Sequence, residues 1–91
     1  MPFTIFRSDR AHTFEARMQR ARNDGYTTGA AEAQLFKIAM GNIVLEREQA
    51  LDWLNAAISK GRSELQSQHA FEREIEAWDM SCRIAFLVAI V

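Results

Sequence analysis

His69, Glu72, Glu76 and Asp79 are the residues whose types and spacing come nearest to a chemistry. On a single helix they fall within roughly 80° of arc. Carboxylates and an imidazole on one face could ligate a divalent metal. One helix rarely completes such a site, and His12 is the only other histidine. Bundles that bind metals in this manner draw Glu-x-x-His sets from several helices. The plainer reading is a solvated acidic face, with Asp79 partly neutralised by Arg83 four residues on. A third reading is a patch of Glu72, Glu76 and Asp79 presented to a basic partner. The pattern calls for no metal and no cofactor.

Arg10, Arg17 and Arg20 form the second cluster. At helical spacing they share one flank beside an apolar stripe, with Arg7 just upstream and Arg22 on the opposite flank. A basic ridge of this kind could grip phosphate or an acidic protein surface. It could equally be the wet edge of an amphipathic helix, with Arg stems lying over apolar surface. No aromatic platform interleaves with it, as single-strand binders require.

Cys82 is the only cysteine, so no intrachain disulfide is possible, and this fits a reducing compartment. It falls on an apolar stripe four residues after Trp78, where a thiol is inert. The segment "DGYTTG" at 24–29 could cradle an anion if a helix starts there. It matches neither a Walker loop nor a dinucleotide fingerprint. Trp53 and Trp78 read as core anchors.

Helices must position these groups. The spacing predicts four. The first spans about Asp9 to Arg22, with Ser8 as its N-cap and Ala11, Phe14, Met18 and Ala21 as its stripe. The second spans about Gly29 to Met40, with Leu35, Phe36, Ile38 and Ala39 as its bulky part. The third spans about Leu45 to Lys60, burying Ala50, Leu51, Trp53, Leu54, Ala57 and Ile58. The fourth starts near Ser63 or Ser67. Its stripe of Phe71, Ile75, Trp78, Cys82, Ala85 and Ala89 has the seam spacing of lengthwise packing. Gly25 and Gly61 read as helix ends, Thr27 or Thr28 as the next N-cap, and Gly41 as either an end or an interior glycine. "FTIF" at 3–6 offers a short N-terminal strand, and the apolar end "RIAFLVAIV" could pair with it or continue the fourth helix. The expected fold is all-α: one domain over residues 1–91, a compact bundle of about four helices.

The totals narrow the function. A chain of 91 residues with 48% apolar content and a net charge of −1 has no global field for nucleic acid or anionic lipid. No secretory signal is legible, and the apolar end is short of a membrane span, so a cytoplasmic setting without membrane insertion is expected. Two histidines far apart in sequence, in a chain too small to enclose a large cavity, argue against an enzyme.

A short single domain with no catalytic motif, offering little beyond packing and a charged surface, resembles the small phage-encoded inhibitor proteins of the anti-CRISPR type. The resemblance covers the style of the whole chain and specifies no residue. It implies stoichiometric blocking of a larger, nucleic-acid-handling host complex such as a CRISPR effector, without turnover. The expected partner is a protein, bound through Glu72, Glu76 and Asp79 or through Arg10, Arg17 and Arg20, with a homodimer as a further option. The alternative is a small dimeric helical regulator that binds nucleic acid through the Arg ridge.

Overall fold

A computed structural model describes the backbone of residues 2–41 and 47–90, with side chains from Thr13 onward. It contains three helices: α1 (Pro2–Met40), α2 (Arg47–Ser67) and α3 (Glu72–Ile90). The all-helical expectation holds, but the count of four does not. The first two expected helices are one 39-residue helix. Pro2 suits the first helical position, where its missing N–H would be unpaired anyway. Ser8 therefore lies inside α1, not at a helix start. The expected strand at 3–6 is also helical, as is its proposed mate, since residues 84–90 are the end of α3.

The glycines explain the merger. Gly25 and Gly29 are interior to α1 and mark where α3 crosses closest. A Cβ on Gly25 would overlap the backbone carbonyl of Trp78. One on Gly29 would overlap the carbonyl of Cys82 and stand 3.0 Å from the Ala85 Cβ. Ala21, Gly25, Gly29 and Ala33 recur every four residues, so they form one stripe of small residues along α1. Each glycine costs about 1 kcal/mol of helix propensity relative to alanine. What offsets that cost is backbone-to-backbone approach, which brings large side chains at both ends of the stripe into contact. Gly61 plays the same part in α2, where a Cβ would strike the indole of Trp78. The expected helix end at Gly61 is thus an indole seat, and α2 runs on to Ser67.

The contacts fix the topology. Phe14 meets Phe71, Arg17 meets Glu74, and Phe36 meets Phe86, so α1 and α3 run parallel. Trp53 meets Phe36, and Arg62 meets Asp79, so α2 runs back alongside the pair in the opposite sense. The molecule is a rod of 60 × 22 × 15 Å. Its long dimension matches α1 at about 1.5 Å per residue. The core is Ala33, Phe36, Leu54, Ile58, Trp78, Cys82 and Phe86, with Ala21 and Ala50 at its margins. Phe36, Phe86, Leu54 and Cys82 are its most deeply buried side chains.

The turns are specific. Gly41 ends α1 at φ +62°, and its N–H donates to the carbonyls of Lys37 and Ile38. Lys37 in the last turn complements the negative end of the helix dipole. α2 ends in a Schellman arrangement: the Ala70 N–H donates to Leu65 O and the His69 N–H to Gln66 O. His69 takes the left-handed position at φ 60°, a conformation more often given to glycine. α3 is then capped by its own Glu74, whose carboxylate accepts the Phe71 N–H at 3.1 Å.

Candidate partner-binding surface

The charged residues divide into those that hold the fold and those left on its surface. Arg17 belongs to the first group. Its guanidinium lies 3.0 Å from Glu74 Oε1 and 4.5 Å from the centroid of the Phe71 ring, which is also in contact with Phe14. Glu74 thereby caps α3 and ties it to α1 with one carboxylate. Asp79 is held in the same manner. Arg83 Nε donates to its Oδ1 at 2.6 Å from one turn along, and Arg62 approaches Oδ2 at 3.4 Å from α2. Arg83 also donates to Asn55 Oδ1 at 3.3 Å, so the network spans both helices. Arg62 Nη1 is shut off from water. Among the described residues its anionic neighbour is Asp79, without hydrogen-bond alignment.

Arg20, Glu72 and Glu76 are the exposed members of the expected set, and none makes an ion pair among the described residues. Glu72 lies in the first turn of α3, where negative charge is favoured by the dipole, and Glu76 follows one turn later. The side chains of Arg10 and of His12 lie outside those described. The Arg ridge is therefore not one uniform surface: Arg17 is committed to Glu74, while Arg20 faces solvent.

Two open clefts flank Trp78, one between α1 and α2 and one between α1 and the turn that joins α2 to α3. One, of about 420 Å³, is lined by Asp24, Thr27, Thr28, Glu32, Lys60 and Glu64. The other, of about 520 Å³, includes Arg17, Arg20, Asp24, Gln68 and Glu74. Thr27 and Thr28 sit in mid-helix. Their backbone N–H groups serve the α-helical ladder, so "DGYTTG" is not an anion cradle and neither threonine is an N-cap.

The metal reading loses its geometry. His69 belongs to the turn, and α3 begins at Glu72, so His69 does not share a helical face with Glu72 and Glu76. Among the described residues no three His, Cys, Asp or Glu side chains come together as a metal site would require.

Cys82 is fully buried. Burial pushes its thiol up from 9.0 to about 11, with the negative charges of Asp79 and Glu32 adding to the shift. The folded thiol keeps its proton where the unfolded one loses it. The stability this contributes is complete below pH about 9 and is lost as the pH rises towards about 11. Urea unfolding across this window should show stability falling by up to about 1 kcal/mol per pH unit. In Cys82→Ala that slope should flatten, whatever the variant's overall stability; an unchanged slope would assign it to other groups.

One feature has no counterpart in the sequence pattern: the Glu74 clamp, which pairs residues from opposite ends of the chain. The apolar excess at the end of the chain is legible in the sequence, and the structure leaves part of it uncovered: Met80, Ile84, Leu87 and Val88 on the outer face of α3 are all exposed. Among the described residues no helix is long and apolar enough to cross a membrane. Comparison with protein-family models, with curated proteins and with solved structures finds no match to this chain.

Proposed function

We propose that the chain is a non-enzymatic protein–protein interaction module, acting as a small stoichiometric inhibitor of a larger nucleic-acid-handling host complex such as a CRISPR effector. The observation that supports this reading is the division of charge. Arg17 and Asp79 are spent inside the fold, while Glu72 and Glu76 stand exposed on a helix start that Glu74 clamps to α1. Two carboxylates on a fixed turn can occupy phosphate positions in a basic groove at little entropic cost. The commitment of Arg17 to Glu74 weighs against the alternative, in which the Arg ridge binds nucleic acid.

Expression in bacteria carrying active CRISPR immunity tests the reading. Phage plating should rise with the wild-type chain and should not rise with Glu72→Lys/Glu76→Lys. No rise against any effector class would overturn the inhibitor reading.

A further inference from the structure

The inner seam of α3 is Trp78, Cys82, Ala85 and Ala89, spaced four, three and four. The opposite face repeats the pattern at Met80, Ile84 and Leu87, spaced four and three, with Val88 beside them. An amphipathic helix on a bundle surface should be polar on that side. Here the four residues are 66%, 50%, 44% and 63% exposed. They leave roughly 400 Å² of apolar side chain uncovered, within the size range of the functional patches of small proteins.

We propose that this strip is the interface with a second copy of the chain, packed helix against helix through the outer face of α3. Three observations support a second copy over other occupants. First, the strip carries no charge. The one ionic residue between Met80 and Ile90 is Arg83, which is turned to Asp79 and Asn55 on the α2 side. An anionic membrane or nucleic acid would find no cation on the strip, and an acidic peptide no partner. Second, the heptad-like spacing is self-complementary. A twofold axis at Ile84 sets Met80 of each copy against Val88 of the other, and the contact closes. Third, two strips remove about 800 Å² of apolar surface, the size of a weak, concentration-dependent contact. Glu76 lies one turn before Met80, so the strip borders the acidic docking surface, and the test reads mass alone so that a failed dimer is distinguishable from a failed inhibitor.

The test is molecular mass by light scattering over a concentration series, for wild type, Met80→Glu and Val88→Glu. The two substitutions sit at the most exposed positions of the strip, so each chain keeps its inner packing, and circular dichroism checks that it does. Wild type should approach twice the 10.4 kDa chain mass at high micromolar concentration. Each variant should stay monomeric, with its dissociation constant raised by more than about tenfold. A wild type that remains at the monomer mass overturns the proposal. So does a dimer indifferent to both substitutions, which would place the interface elsewhere. Binding of neutral lipid vesicles by a monomeric wild type would assign the strip to a membrane surface and overturn it too.

Discussion

Gly25→Ala and Gly29→Ala are each expected to destabilise the protein, by about 1–3 kcal/mol. The sign is the informative part. In an exposed helix interior, alanine gains about 1 kcal/mol over glycine, both from propensity and from a less flexible unfolded chain. Here the added methyl meets backbone, the carbonyl of Trp78 in one case and of Cys82 in the other. Backbone cannot swing aside as a side chain can, so α1 and α3 must separate along their length. The separation loosens Phe36 against Phe86 at one end and Arg17 against Glu74 at the other. Thermal unfolding of the two variants checks this. A melting temperature above wild type for Gly29→Ala would mean that α1 and α3 do not cross at this stripe. Gly41→Ala is a useful contrast. Its Cβ meets open space, and only the left-handed backbone opposes it.

Phe36→Ala and Phe86→Ala carry the other large effect. Both rings are fully buried, their centroids lie 6.1 Å apart, and Phe36 also makes an edge contact with Trp53 at 5.5 Å. This cluster is where all three helices meet. Truncating either ring should cost about 3–5 kcal/mol, from lost transfer energy plus the cavity left behind. Stabilities of small domains are of the order of 5–15 kcal/mol, so either variant should be largely unfolded at modest urea. The double variant should lose less than the sum of the singles, because the rings share one contact. Urea midpoints measure both points. A loss below about 1 kcal/mol for Phe86→Ala would contradict a core centred on these rings.

Helical periodicity alone makes the inner seam of α3 legible. Ile75, Trp78, Cys82 and Ala85 are all buried, as their spacing requires, whereas Ala89 is half-buried and Phe71, the first of the expected stripe, precedes α3 and is exposed. The face of α2 is equally plain at Ala50, Leu54 and Ile58. The helix breaks are not legible in the same way, because glycine has two structural uses that local sequence does not separate. Gly41 supplies a positive φ, whereas Gly25, Gly29 and Gly61 supply the absence of a Cβ. The signal that separates them is the four-residue recurrence of Ala21, Gly25, Gly29 and Ala33, which marks a helix face and not a series of ends.

Composition groups Leu35, Phe36, Ile38 and Ala39 as the bulky part of one short helix. Only Phe36 of the four is buried, because the continuous α1 fixes a single inner stripe through Ala33. The i, i+4 pairing of Asp79 with Arg83 is visible from spacing alone. The pairing of Arg17 with Glu74 is not, since it depends on the parallel arrangement of α1 and α3. That pairing is what separates the available charges from those consumed by the fold.

The most direct measurement of the proposed function is displacement of labelled nucleic acid from a purified CRISPR effector, followed by fluorescence anisotropy. The chain should release the nucleic acid with a sharp stoichiometric endpoint and no turnover. Glu72→Lys/Glu76→Lys should keep the wild-type helical spectrum and weaken displacement by about tenfold or more per charge. Full displacement by that variant, or none by the wild type, would contradict the acidic start of α3 as the docking surface.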